Sequence, residues 1–252
     1  MRFQDKVVLI TGGNRGIGRA TAQAFAEEGA VVIINYRKEI EVARNFITSL
    51  PNGPHHLVQA DVGVPEEARF LVEECVRLTG RLDILVNNAG VHQFHPVDEV
   101  DYATWMQEWE VTLRVNLMGP ANTMYWAAQH MIRQGGGRIV NVSSRGAFRG
   151  EPDQPAYGAS KAGLNALSQS LAQKLAPYHI YVAVVAPCFT ETDMAAEILA
   201  GPKGEGIRKQ SPTGRVAKPE EVARGILFLA EPGTEYMTGA ILDINGASYL
   251  RS

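Results

Sequence analysis

Short stretches of consecutive apolar, β-branched residues alternate along the chain with longer segments whose apolar positions recur every three to four residues. The apolar stretches, Val7 to Thr11, Val31 to Asn35, His56 to Ala60, Ile84 to Asn87, Arg138 to Val142, Tyr181 to Val185 and Ile241 to Ile244, predict strands. Most lack a polar alternation, as strands covered on both faces do. Helical periodicity runs over Gly16 to Glu28, Ile40 to Leu50, Pro65 to Thr79, Asp101 to Arg133, Ala156 to Ala176 and Pro219 to Ala230, and the fourth segment is long enough to expect a break near Val111 to Arg114. Regular alternation of strand and helix predicts an α/β architecture with a parallel sheet. No repeat, low-complexity tract or charge run marks a boundary, so residues 1–252 read as a single domain. The stretch from Phe189 to Arg215 stands apart. Its run Gly201-Pro202-Lys203-Gly204-Glu205-Gly206 is too rich in glycine to expect regular structure, and the segment is expected to form a substrate lid at about 189–215.

Composition narrows the classes. Lys and Arg number 24 against 27 Asp and Glu, a net charge of -3, which excludes a strongly basic nucleic-acid binder, so no nucleic-acid partner is expected. Hydrophobic residues at 45% suit a large buried core. No apolar run approaches the ~20 residues of a membrane span, and the opening Met1-Arg2-Phe3-Gln4-Asp5-Lys6 lacks a secretory h-region, so a cytoplasmic protein without a membrane partner is expected. Cys75 and Cys188 are too few for a disulfide framework. His92 and His95, and the adjacent His55 and His56, have no Asp, Glu or Cys at ligand spacing, so no metal is expected. Trp105, Trp109 and Trp126, with Met106, Leu113, Met118 and Met124, follow helical spacing and read as packing within the core or between subunits.

The chemistry-bearing residues begin at the first strand-to-helix junction. Val7 to Thr11 runs into Gly12-Gly13-Asn14-Arg15-Gly16-Ile17-Gly18 and then an amphipathic helix, the context a dinucleotide phosphate site requires. Tyr157 and Lys161 lie four positions apart and share one helix face, where an ammonium stabilises a phenolate and brings tyrosine toward useful acidity. Ser144 lies thirteen residues upstream of Tyr157, at the carboxyl end of the fifth strand, where ligands bind in open α/β sheets. Its hydroxyl can donate to a substrate carbonyl.

The turn Thr11-Gly12-x-x-x-Gly16-x-Gly18 departs from Gly-x-Gly-x-x-Gly and resembles that of the short-chain dehydrogenase/reductase superfamily. Further matches follow in order over nearly the whole chain: Asp61-Val62, Asn87-Asn88-Ala89-Gly90, Asn116, Ser143-Ser144, Tyr157-Gly158-Ala159-Ser160-Lys161 and Pro187. The resemblance implies a doubly wound Rossmann fold with a seven-stranded, mostly parallel sheet in the order 3-2-1-4-5-6-7 and helices on both faces. It implies Tyr157 as general acid, Ser144 as orienting donor, Lys161 binding the nicotinamide ribose and lowering the Tyr157 pKa, and Asn116 supporting a water relay to Lys161. It also implies a homotetramer, or a dimer, built through the fourth helical region, the Ala156 to Ala176 helix and the last strand.

The cofactor contacts expected on this basis are Gly12, Asn14, Arg15, Gly16, Ile17 and Gly18 at the turn and Asn35, Tyr36 and Arg37 after the second strand. Asp61 and Val62 would flank the adenine and Asn88, Ala89 and Gly90 its ribose; Tyr157, Lys161, Pro187, Cys188, Phe189 and Thr190 would line the nicotinamide side. No carboxylate follows the second strand until Glu39, while Arg15 and Arg37 can converge on a 2′-phosphate, which favours NADP(H) and leaves NAD(H) open. Cys188 stands where the family commonly has glycine, which narrows the nicotinamide pocket; it reads as a packed residue rather than a reactive thiol.

Glu191-Thr192-Asp193-Met194 and Gly214-Arg215-Val216-Ala217-Lys218-Pro219-Glu220-Glu221-Val222-Ala223 look like the 3-oxoacyl-[acyl-carrier-protein] reductase branch, but sugar, polyol and steroid dehydrogenases share such segments. The substrate is thus a carbonyl, alcohol or acyl-thioester compound, touched by His92 to His95, Arg145 to Gln154 and the lid. The polar run Arg145 to Gln154 suits a hydroxylated or charged substrate, or else forms a solvated rim. A nucleotide-sensing Rossmann protein without chemistry would have lost Ser144, Tyr157 or Lys161, and all three are present. Epimerases and dehydratases among the extended relatives carry a longer carboxyl-terminal domain than fits after Pro187.

Overall fold

The computed structural model describes residues 1–251, without the side chain of Met194. Strands β1 (Val7–Ile10), β2 (Val31–Tyr36), β3 (His56–Gln59), β4 (Ile84–Asn87), β5 (Gly137–Val142), β6 (Ile180–Pro187) and β7 (Ile241–Ile244) form one sheet in the order β3-β2-β1-β4-β5-β6-β7. The expected order holds, and the sheet is wholly rather than mostly parallel. Chain order reverses between β1 and β4, and a crevice opens at such a reversal on the side of the strand carboxyl ends. Register brings those ends level there, with Ile10 beside both Ile34 and Val86.

The apolar strands bury both faces, and their alternate residues enter separate cores. Val8 and Ile10 pack with α1 (Gly16–Glu27), α2 (Ile40–Ile47) and α10 (Pro219–Ala230) through Phe25, Phe46 and Ile226. Val7 and Leu9 face α3 (Pro65–Thr79), α5 (Gly119–Gln134) and α7 (Pro155–Leu175) through Leu71, Met124 and Leu164. Period-two side-chain direction in a strand enforces this division. The long fourth helical region is interrupted slightly later than expected. After α4 (Tyr102–Leu113) the chain makes a wide π-helical turn over Arg114–Met118 before α5, and Asn116 lies within it. The aromatic and methionine stripe is divided by this turn: Met124 is buried, the three tryptophans are half-buried, and Met106 and Met118 are exposed.

The glycine-rich segment after β6 is more ordered than expected. Two short helices, α8 (Asp193–Ala200) and α9 (Gly204–Lys209), lie where irregular chain was predicted; Met194 falls in α8 with its side chain outside the description. They hold because Ala195, Leu199, Ile207 and Val216 bury against one another, with Phe189 and Ile198 beside them. Gly204 takes part in this packing, since a Cβ there would collide with the Leu199 carbonyl oxygen. A parallel bridge between Thr190 and Ala217 closes the base of the segment, with Glu191 N–H donating to Ala217 O at 2.8 Å and Ala217 N–H to Phe189 O at 3.0 Å. The remaining helix, α6 (Gly146–Arg149), is a single turn after β5. Among the described residues no helix is long and apolar enough to cross a membrane, and no group of three or more His, Cys, Asp or Glu residues is placed to hold a metal ion.

Candidate active site

A deep cleft follows the carboxyl ends of the strands, with the glycine turn at one end and Ser144, Tyr157 and Lys161 at the other. Hydrogen bonds between backbone and the side chains of Thr11, Asn35 and Asn88 hold the turn between β2 and β4. Gly12 N–H donates to Asn35 Oδ1 at 3.2 Å and Gly13 N–H to Asn35 O at 2.9 Å. The Thr11 hydroxyl oxygen accepts from the Asn88 and Ala89 N–H groups, each at 3.0 Å, and Asn88 Nδ2 donates back to Thr11 O and Gly12 O. Gly16 has φ of +53°, a left-handed conformation that glycine adopts without steric cost. At Gly18 a Cβ would strike the Gly12 carbonyl oxygen and lie 2.5 Å from Asn88 Nδ2. The first turn of α1 has no side-chain cap and no acidic residue, so its N–H groups and positive dipole end face the cleft. This cradle fits a pyrophosphate.

Past β2 the surroundings are basic. Arg15, Arg37, Lys38 and Glu39 line the cleft, and Arg37 Nη1 lies 3.6 Å from an Asp61 carboxylate oxygen. Asn35 lines it as well, but its side chain is committed to Gly12, Val58 and Ala60. Tyr36 is buried and does not border the cleft; Gly18 and Asn116 stand behind it too. The other predicted contacts, Asn14, Ile17, Val62, Ala89, Gly90, Pro187, Cys188, Phe189 and Thr190, all line it.

At the opposite end, α7 projects Tyr157 and Lys161 from one face, and β5 delivers Ser144 beside them. Lys161 is 4% exposed, its Nζ donates to Val142 O at 2.8 Å, and it sits 5.8 Å from the centroid of the Tyr157 ring. Burial pulls the Lys161 ammonium down to about 8. Burial pushes the Tyr157 phenol up, with the Ser144 hydroxyl pulling the other way and Glu151 reinforcing the rise. The Ser144 Oγ accepts from Gly146 N–H at 3.0 Å, which leaves its proton free to be donated into the cleft. His92 stands edge-on to Tyr157 with ring centroids 4.8 Å apart, and burial lowers its pKa. Asn116 is fully buried: Oδ1 accepts from Val91 N–H at 2.8 Å and Nδ2 donates to Val91 O and to Ser160 Oγ. It thereby fixes the strand-end loop that carries Gly90 and His92.

The family described as Enoyl-(Acyl carrier protein) reductase matches residues 12–247 of the chain. A 3-oxoacyl-[acyl-carrier-protein] reductase from Thermotoga maritima is 39% identical over 98% of both chains, and one from Aquifex aeolicus is 37% identical over 99% of both. The chain belongs to the short-chain dehydrogenase/reductase family. Among solved structures, the ligand-free aldohexose dehydrogenase of Thermoplasma acidophilum superposes with a TM-score of 0.87 at 28% identity, covering 99% of this chain and 96% of the other. This short-chain dehydrogenase/reductase is an NAD(P)-dependent oxidoreductase, and the glycine cradle and uncapped helix above suit the nicotinamide dinucleotide that the family uses.

The cleft of this short-chain dehydrogenase/reductase also has walls beyond the individual contacts expected from the motifs. Val115, Val142 and Ser143 line its middle, and Thr192, Asp193 and Ile198 line it from the segment after β6. Thr192 approaches the glycine turn itself, its Cγ2 lying 3.1 Å from where a Gly16 Cβ would stand. The Thr-Asp pair after β6 was visible in the sequence, but nothing local told that it folds back over the first turn. Cys188 has its N–H donating to Ile244 O at 3.2 Å, and burial raises its thiol pKa, so it is a neutral side chain at neutral pH.

Proposed function

We propose that the chain reversibly reduces a ketone to a secondary alcohol, with NADPH as the preferred cofactor. The observation that carries this reading is the gathering of Ser144, Tyr157 and Lys161 at one end of a cleft whose other end is the glycine cradle. A bound nicotinamide supplies the hydride, and the protein's part is to hold the carbonyl and move a proton. Ser144 donates a hydrogen bond to the carbonyl oxygen and Tyr157 gives that oxygen its proton. Burial supports the assignment, because a phenol whose pKa is pushed up remains protonated and ready as an acid at neutral pH. The Lys161 ammonium, anchored by Val142 O, stabilises the phenolate left behind and holds the nicotinamide ribose. Asn116 positions the loop beside Lys161 and supports a water relay to it.

The preference for NADPH rests on Arg15, Arg37 and Lys38 around the cleft where β2 ends, and on the absence of a carboxylate within β2 itself. The two helices between β6 and α10 act as the lid, since Thr192 and Asp193 reach the cofactor end while Ile198 walls the cleft. Relatives named 3-oxoacyl-[acyl-carrier-protein] reductases support a 3-oxo compound as substrate. A sugar or polyol is the second reading, favoured by the polar wall of His92, Arg145 and Glu151 and by the aldohexose dehydrogenase likeness. The test is oxidation of NADPH and NADH, followed by absorbance, against an acetoacetyl thioester, a neutral diketone and keto-sugars. NADPH-dependent reduction of a 3-oxo compound is expected; no turnover of any carbonyl overturns the reading, and turnover confined to sugars replaces the substrate.

A further inference from the structure

The substrate end of the cleft holds a cation without a counter-ion. Arg145 directly follows Ser144, lines the cleft and is 3% exposed. Arginine is almost never buried to this degree unless a carboxylate or phosphate compensates it. Among the described residues no carboxylate oxygen lies within ion-pair distance of Arg145; the hydrogen bond its guanidinium makes is from Nη2 to the neutral Gln210 Oε1, at 2.7 Å. The charged neighbours are matched with one another. Glu151 pairs with Arg149 at 3.4 Å, and Asp153 pairs with Lys203 at 3.6 Å. His92 and Cys188, whose pKa values are pushed toward their neutral forms by burial, add no charge at neutral pH. One positive charge therefore has no ion-pair partner beside the orienting serine; burial and Arg149 disfavour it, and Glu151, shared with Arg149, only partly offsets them.

We propose that Arg145 is a substrate-recognition residue that takes a carboxylate, and that the ketone reduced in this cleft is an oxo acid. The inference rests on the carbonyl-reduction reading above and names its substrate class. A single uncompensated guanidinium matches a planar monoanion, which it can hold through two parallel N–H···O bonds, whereas a phosphate dianion needs a second unmatched cation. A thioester or a sugar hydroxyl is neutral and leaves the buried charge uncompensated. Gln210, which follows α9, steadies the guanidinium through this hydrogen bond, so the segment after β6 helps to hold the carboxylate site.

The test compares kcat/KM for acetoacetate and for levulinate with that for their methyl esters, in the wild type and in Arg145→Met and Gln210→Glu. Butyrate binding to the NADPH complex, read by nicotinamide fluorescence, is measured alongside. An acid-over-ester preference of about tenfold to a hundredfold is expected for at least one of the two chain lengths in the wild type. It falls to near unity in both variants, and butyrate binding weakens in parallel. Gln210→Glu keeps the fold testable if Arg145→Met does not fold, because it gives Arg145 an internal carboxylate that occupies the site without creating a cavity. Esters reduced as well as acids, a preference that survives in both variants, or inorganic phosphate binding more tightly than butyrate each overturn the inference. Reduction of a neutral diketone but of neither acid overturns it while leaving the carbonyl-reduction reading intact. No reduction of any carbonyl overturns that reading instead, and butyrate binding by wild type but not by the variants then upholds the carboxylate site.

Discussion

The two ends of the cleft are built from different materials. At the cofactor end the cradle is main chain pinned by the Asn35 and Asn88 amides, and in the turn after β1 the positions that matter are those with no side chain, Gly16 for its dihedral angle and Gly18 for its close approach. At the substrate end the contacts are side chains taken out of water, Lys161, Tyr157, His92 and Arg145, each with its protonation shifted by burial. A backbone cradle recognises what many proteins share, a pyrophosphate, and tolerates variation around it. Buried titratable side chains are the groups on which the proposed reaction and its substrate rest, because in low dielectric each charge must find a partner or change its protonation.

The contrast predicts separable losses. Removing the phenol hydroxyl with Tyr157→Phe is expected to lower kcat by a factor of about 10² to 10⁴ while NADPH affinity, measured by fluorescence titration, stays within about twofold. Retained turnover removes Tyr157 from the chemistry. The reciprocal change, Gly18→Ala, places a methyl group against the Gly12 carbonyl oxygen and is expected to weaken NADPH binding about tenfold to a hundredfold through displacement of the turn. Unaltered affinity there means that the turn does not carry the pyrophosphate.

Between the extremes, Arg37→Ala removes a cation and leaves Asp61, its partner at 3.6 Å, with only Arg114 at 4.0 Å. NADPH affinity is expected to fall about tenfold with NADH affinity little changed; equal losses for both cofactors argue against a 2′-phosphate contact.

The smallest effect is on stability. Lys161 titrates at about 8 in the fold against an ordinary value of 10.5, so the unfolded chain binds more protons between those values and the native protein gains stability as pH rises through that window. The cost of the buried charge is fully present below about 8. Lys161→Met is accordingly expected to stabilise the cofactor-free protein at pH 7 by about 1 kcal/mol or more, although it abolishes turnover, with the gain vanishing toward pH 10.5. Urea midpoints across pH check this, and a destabilised variant at pH 7 shows that the Val142 contact outweighs the burial cost.

Much of this arrangement was legible before any tertiary structure. The uninterrupted apolar runs marked strands buried on both faces, and β4 and β7 fall on the residues expected. The glycine turn, Ser144 and the Tyr157–Lys161 pair were legible because spacing within one element carries its own geometry. Elsewhere local pattern misled. Glycine between 201 and 206 argued against regular structure, yet α8 and α9 form because packing among Ala195, Leu199 and Ile207 outweighs propensity. Asn35 and Tyr36 read as cofactor contacts from their place at the end of the second strand. Asn35 lines the cleft with its amide tying the turn together, whereas Tyr36 is buried away from the cleft.

The sequence by itself determined the α/β class, the strand order through its family likeness, and the residues proposed to handle the proton. Only tertiary structure decided which charges meet. Arg145, Arg149, Glu151 and Asp153 looked alike as one polar run; folding pairs Arg149 with Glu151 and Asp153 with Lys203 from the distant lid, and leaves Arg145 buried and unmatched. Propensity and periodicity act within a few residues of chain, but a charge is compensated by whatever lies within a few ångströms in space. That neighbourhood exists once the segment after β6 has folded back over the cleft.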